Sequence, residues 1–425
     1  MSITVDPVKP VAWWKEPTRE QWHAWVAAWL GWTLDAFDFT VFLLIMVPIA
    51  QYFHVPLTAV AIVFTLTLWL RLFGATASGW MADRVGRKLP LMIAVAGYSL
   101  CNLIAGLAPT FLVLLLFRAL LGFFMGAEWP AGAALALEQW PQRSRGVMGS
   151  VLQASWGIGG LLSAAAYALL YNSIGWRGLL IIGILPALLL FYIFPFVKEP
   201  AIWLENRRIQ RTQKREVRMP LFSIFKRRML GNTLTACWWM ASGFICAYSV
   251  SGLFPTYLQK NLHLNPALVA LPIMLQSVAF FLSGFGWGWV ADHLGRRWAL
   301  ILPAIFGILC APLYLMTTSY TMIVIFFAIQ GFFAGGGMYT QNPTYLAERF
   351  PTEVRATASG FCYHQGAIFG GLTVPVLTYL AATWNTGFAT PMLIGTVFGA
   401  VMFIIALLFS PETRGRQLSA EVVLA

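Results

Sequence analysis

Long apolar stretches alternate with short polar ones along almost the whole of this chain of 425 residues. Residues 22–52, 57–82, 89–107, 110–140, 146–171 and 176–197 form a first set of six. Residues 231–258, 266–291, 298–317, 320–347, 356–382 and 388–410 form a second set. About 20 apolar residues suffice for a helix to cross a bilayer, so the pattern predicts an all-α membrane protein with twelve transmembrane helices. Between the sets hydropathy collapses: 198–228 holds ten Lys or Arg and reads as a linker, partly a solvated amphipathic helix. The expected organisation is an N-terminal segment 1–21, a six-helix bundle 22–197, a basic linker 198–230, a second bundle 231–410 and a tail 411–425.

The polar breaks carry an asymmetry. Of 28 Lys and Arg, 24 fall in the N-terminus, alternate loops and the C-terminus, and the opposite loops hold only Arg177 and Lys260. Basic loops mark the cytoplasmic side, which places both termini and the linker there. The net charge of +12 therefore reports orientation in a lipid bilayer and is no sign of a nucleic-acid partner. Charged residues make up only 10% of the chain, against about 25% in soluble domains. The five cysteines all lie in apolar stretches without metal-ligand spacing, and no metal, cofactor or disulfide framework is expected. The first 20 residues lack the apolar core of a cleavable signal peptide, so none is expected.

The two sets repeat. Gly79-Trp-Met-Ala-Asp-Arg-Val-Gly-Arg-Lys88 returns as Gly288-Trp-Val-Ala-Asp-His-Leu-Gly-Arg-Arg297. Glu138-Gln-Trp-Pro-Gln-Arg-Ser-Arg145 returns as Glu348-Arg-Phe-Pro-Thr-Glu-Val-Arg355. Two unrelated motifs displaced by nearly the same distance indicate two parallel six-helix pseudo-repeats.

Five charges stand at membrane depth in the first bundle: Asp35, Asp38, Arg71, Arg118 and Glu128. A carboxylate at bilayer centre costs roughly 2.5–3.5 kcal/mol on insertion scales, so each needs a partner, water or a proton. Asp35 and Asp38 share one helix face, three residues apart. Asp35 and Arg71 each lie roughly 20 Å into adjacent antiparallel helices, hence at one level. Either these charges form structural ion pairs, or Asp35, Asp38 and Glu128 bind protons while Arg71 or Arg118 captures a carboxylate by its planar fork. Trp129 and Gln153 are candidate walls of such a site. The second bundle instead offers neutral groups: Tyr339, Gln341, Asn342, His364 and Gln365. Hydrogen-bonding side chains with aromatic faces suit a polyhydroxylated ligand, though each is equally able to join helices.

The GxxxDRxGRK turn after the second helix resembles the signature of the major facilitator superfamily, complete at 79–88 and with His293 replacing one Arg in its repeat. Arg118-Ala-Leu-Leu-Gly122 resembles a second signature of that superfamily. The resemblance implies two bundles rocking about a central site. Gly79 and Gly288 would allow close helix contact, Asp83 and Asp292 would pair with a base or a helix N-terminus, and Arg84, Arg87 and Arg296 would hold the gate by charge. Leu34-Asp-Ala-Phe-Asp-Phe39, Arg71-Leu-Phe-Gly74 and Gly126-Ala-Glu-Trp-Pro130 look like the sialate:proton symporter branch. That similarity implies a proton-coupled importer of an organic acid anion in the bacterial inner membrane, with N-acetylneuraminate first by analogy with the branch and lactate, pyruvate or an aromatic acid as the alternative. A monomer is expected. A non-transporting membrane sensor is the reading from another class; an enzyme is not expected, because no HExxH, GxSxG or paired-cysteine motif is present.

Overall fold

The computed structural model describes residues 13–213, 220–264 and 266–419. Residues 1–12 of the N-terminal segment, 214–219 of the basic linker and 420–425 of the tail lie outside the described residues.

The first bundle comprises α1 (Arg19–Phe53), α2 (Leu57–Val85), α3 (Lys88–Gly106), α4 (Phe111–Leu137), α5 (Arg145–Ile182) and α6 (Leu189–Phe196). The segment that follows contributes α7 (Ala201–Thr212) and the single turn α8 (Pro220–Ser223). The second bundle comprises α9 (Arg227–Ser251), α10 (Phe254–Lys260), α11 (Pro266–Leu294), α12 (Arg296–Leu315), α13 (Tyr320–Gln330), α14 (Asn342–Arg349), α15 (Arg355–Trp384) and α16 (Ala389–Leu408). Local chemistry sets several ends. Thr18 and Gln21 form a reciprocal capping box at the start of α1, and the chain leaves α1 through His54 at φ 52°. Thr110 accepts from Val113 N–H at the start of α4.

Eight spans among the described residues are individually long and apolar enough to cross a membrane. The remainder are interrupted or more polar. The sixth span, expected as one helix over 176–197, is built in pieces. α5 continues through Ile182 across a backbone break at Gly175 (φ 63°, ψ −173°), and a short turn Leu185–Leu188 then leads into α6. Gly175 supplies the positive φ, and Pro186 prevents regular helix continuation. The tenth span is also composite. α13 passes into a wide π-turn Gly331–Gly337 before α14, where three consecutive glycines remove the side chains that would enforce an α-helix.

Helix packing relies on backbone approach, as expected where lipid gives no hydrophobic drive between helices. α2 and α4 meet through Gly74, Gly122 and Gly126. A Cβ added at Gly126 would lie 2.1 Å from the Arg71 carbonyl oxygen. Gly126→Val is therefore expected to cost about 1–3 kcal/mol through overpacking, read as a lower unfolding temperature in detergent. The two bundles meet mainly along α2 against α15 and α11 against α5. Both seams depend on the motif glycines: a Cβ at Gly79 would meet the Thr357 backbone at 2.6 Å, and one at Gly288 would meet Val147 Cα at 2.7 Å.

Candidate functional site

The sequence brings its intramembrane charges together at the centre of the first bundle. Asp35, on α1, and Arg71, on α2, face each other; Arg71 Nη2 lies 2.7 Å from Asp35 Oδ2 and 3.0 Å from Oδ1. Both are buried. The guanidinium also rests against two rings, 5.2 Å from the Phe39 centroid and 5.7 Å from that of Trp156. One turn along α1, Asp38 lies beside Asn102 and the Gly183 backbone. Arg118 supplies its opposing charge but donates its own hydrogen bond to Asn102 Oδ1, at 3.0 Å. The Arg118 guanidinium lies 4.3 Å from the Phe42 ring. Glu128, on α4, is buried too, and its Oε2 has no hydrogen-bond partner among the described residues.

Aromatic rings separate this cluster from the second bundle. Trp129 stacks on Tyr363 at 4.2 Å, and Trp32 lies edge-on to both. Trp129 donates to Gln153 Oε1 at 3.0 Å, and Gln153 donates to the Tyr363 hydroxyl at 3.1 Å. Phe244 abuts Tyr363, and Tyr248 abuts Phe64. A small recess opens among these groups, lined by Ala28, Trp32, Glu128, Trp129, Gly132 and Gln153. Two buried polar atoms without a hydrogen-bond partner belong to its lining, Trp32 Nε1 and Glu128 Oε2, and a third, His364 Nε2, is on the ring that faces Trp129. Such atoms are uncommon in folded interiors, and these leave polar capacity that a ligand, water or a proton can meet.

The remaining predicted residues of the second bundle sit elsewhere or are already engaged. Tyr339 donates to Gly243 O. Gln365 Nε2 donates to Cys237 O at 2.7 Å and to Cys362 O at 3.0 Å. Gln341 donates to Ser150 Oγ across the seam, and its neighbour Asn342 is buried at the start of α14. His364 bonds through Nδ1 to Gly360 O on its own helix and faces Trp129 with its ring.

The repeated motifs meet at the end of the bundle that carries the basic loops. Asp83 accepts hydrogen bonds from the Ala356 and Thr357 N–H groups, at 3.1 and 2.9 Å, at the N-terminus of α15. Asp292 accepts from the Gly146 and Val147 N–H groups, at 3.1 and 3.0 Å, at the N-terminus of α5. Each aspartate thus caps a helix of the opposite bundle, where free N–H groups and the helix dipole favour a carboxylate. Arg87 pairs with Asp83 and Glu138, and Glu138 also pairs with Arg355 of the other bundle. Arg296 pairs with Asp292 and Glu348, and Glu348 also lies 3.7 Å from Arg145. Arg84 stands apart from this clasp, with its guanidinium over Trp80.

Sequence reasoning missed several of these groups. Glu138, Arg145, Glu348 and Arg355 lie inside the second repeated motif, which signalled the duplication but was given no role. Glu199 and Glu412 were missed too. Each follows the last span of its bundle and accepts from two backbone N–H groups, of Arg87 and Lys88 or of Arg296 and Arg297. Trp32 and Trp156 were assigned nothing, because an apolar span full of tryptophans gives no hint of which ring reaches the centre.

The chain is 29% identical over 420 residues to a probable 4-methylmuconolactone transporter of Cupriavidus pinatubonensis, covering 95% of this chain and 94% of that one. It is 25% identical over 397 residues to the sialic acid transporter NanX of Escherichia coli, covering 93% and 95%. Among solved structures it resembles the proton:xylose symporter XylE bound to 6-bromo-6-deoxy-D-glucose, with a TM-score of 0.75 and 16% identity over 94% of this chain and 98% of that one. The family model described as Major Facilitator Superfamily matches residues 28–259 and 240–422. With two clasped helical pseudo-repeats around a buried charge cluster, the chain belongs to the Major Facilitator Superfamily and is a multi-pass membrane transporter rather than an enzyme.

Proposed function

We propose that this transporter carries an organic acid anion together with protons, by alternating access, in a bacterial inner membrane. The basic loops then face the cytoplasm together with both termini, and the clasp closes the cytoplasmic route. The observation that carries this reading is the buried Arg71–Asp35 pair set against an aromatic wall. A proton on Asp35 weakens the pair and frees the guanidinium fork, which then donates its N–H groups to a substrate carboxylate. The walls of Trp32, Trp129, Trp156 and Tyr363 favour a flat, unsaturated or aromatic acid. Of the polar groups in the second bundle that would suit a sugar acid, Tyr339 and the amide nitrogens of Gln341 and Gln365 are spent on helix contacts. N-acetylneuraminate stands as the second reading, favoured by the 25% identity to NanX over nearly the whole chain.

Counterflow in proteoliposomes tests the proposal. Vesicles loaded with unlabelled acid are expected to take up the labelled one from a panel of aromatic acids, N-acetylneuraminate and lactate. An inward proton gradient should accelerate accumulation, and a protonophore should abolish it. Accumulation that survives the protonophore and follows sodium instead rejects proton coupling. A sensor that does not transport shows no exchange with any member of the panel.

A further inference from the structure

Glu128 sits in the recess without a basic partner, although two guanidiniums lie in the same cluster. Arg71 is committed to Asp35, and Arg118 lies toward Asp38 through Asn102. The charged or titratable groups that face Glu128 are Asp35 from α1, Arg71 from α2 and Tyr98 from α3; α5 presents only the neutral Gln153 to the recess. Gly31 approaches so closely that a Cβ there would lie 2.3 Å from Glu128 Oε1. This oxygen is thus held against the α1 backbone, and Oε2 is the one with no partner. An ionised carboxylate in such surroundings would be a buried charge without compensation, the most costly arrangement available to it.

Resting on the transport reading above, we propose that Glu128 keeps its proton throughout the cycle, as a neutral hydrogen-bond donor in the substrate recess, and that each monoanion therefore crosses with one proton and no net charge. The charge count follows directly. The cluster holds three buried carboxyl groups, Asp35, Asp38 and Glu128, and two buried guanidiniums, Arg71 and Arg118. With Glu128 neutral, two negative charges face two positive ones, and the empty site is balanced. An entering monoanion adds one negative charge. One proton, taken up by Asp35 or Asp38 from the outer side and released on the inner side, restores the balance. Both forms that cross the cycle are then neutral, so neither burdens the low-dielectric interior with a net charge. Glu128 holds a proton and does not deliver one.

Two measurements on the full chain test this. The first needs no ligand. Infrared spectra of wild type and Glu128→Gln in lipid are compared from about pH 5 to about pH 9, well past the ordinary glutamate range. The carbonyl stretch of a protonated carboxylic acid is expected to persist in wild type at the alkaline end and to be missing from the variant. Its disappearance on titration of wild type overturns the proposal. The second uses labelled 4-hydroxybenzoate and N-acetylneuraminate in proteoliposomes. An inward proton gradient is expected to drive uptake, while an imposed inside-negative potential changes the final accumulation less than about twofold; potential-driven accumulation overturns the one-proton count. Glu128→Gln is expected to bind more weakly yet to keep the same dependence on the proton gradient, and loss of that dependence makes Glu128 a proton carrier after all. Failure of every member of the acid panel to exchange in wild type would reject the transport reading, whereas loss of the infrared band with exchange intact would reject only this one.

Discussion

Arg71→Lys should weaken substrate binding by about 1.5–3 kcal/mol, the usual worth of a hydrogen bond to a charged group, while leaving the fold nearly intact. The ammonium keeps the charge opposite Asp35 but loses the planar fork and the broad contact with Phe39 and Trp156. Arg71→Ala should act differently. It strands the buried Asp35 carboxylate, and breaking a buried pair from one side costs about 3–5 kcal/mol, so stability should fall along with transport. Isothermal titration and thermal unfolding on both variants separate the two effects. An uncharged ester of the substrate should bind wild type poorly and be almost indifferent to the lysine change. If Arg71→Lys binds as tightly as wild type while Arg118→Lys does not, the carboxylate belongs to Arg118 and Arg71 serves Asp35 alone.

Glu138→Gln should open the basic end of the molecule. Glu138 holds Arg87 of its own bundle and Arg355 of the other, both buried, and a neutral amide cannot balance two guanidiniums. Losing about 3 kcal/mol from the clasped state shifts the ratio of open to closed forms by more than about a hundredfold. Ser150, buried in the seam where it meets Gln341, reports the change. In a background without the five native cysteines, Ser150→Cys should react with a membrane-impermeant thiol reagent far faster once Glu138→Gln is added. An unchanged labelling rate would make the clasp a fixed brace instead of a gate. Glu348→Gln offers the matching test at Arg145 and Arg296.

Much of this was legible in the chain before any coordinates. Hydropathy determined an all-helical membrane protein, because a bilayer leaves long apolar segments almost no alternative, and the two repeated motifs determined the duplication. Equal depth along adjacent helices determined that Asp35 and Arg71 could meet, since a helix rises by a constant amount per residue. The motif turns announced an acid able to cap a helix, as Asp83 and Asp292 both do. Tertiary structure alone decided which helix each one caps: both reach across to the opposite bundle, a contact between residues more than 140 positions apart. It also decided which polar groups were free. In sequence, Gln341, Gln365 and Trp129 stand as candidates for a ligand and Glu128 as a candidate for a proton. The fold spends the two glutamines on helix contacts, stacks Trp129 on Tyr363, and leaves Glu128 facing the recess unpaired. Periodicity gives the face of a helix on which a side chain lies, but the partner it finds there depends on how that helix crosses its neighbours. In this protein the crossings are set by backbone contacts at Gly79, Gly126 and Gly288.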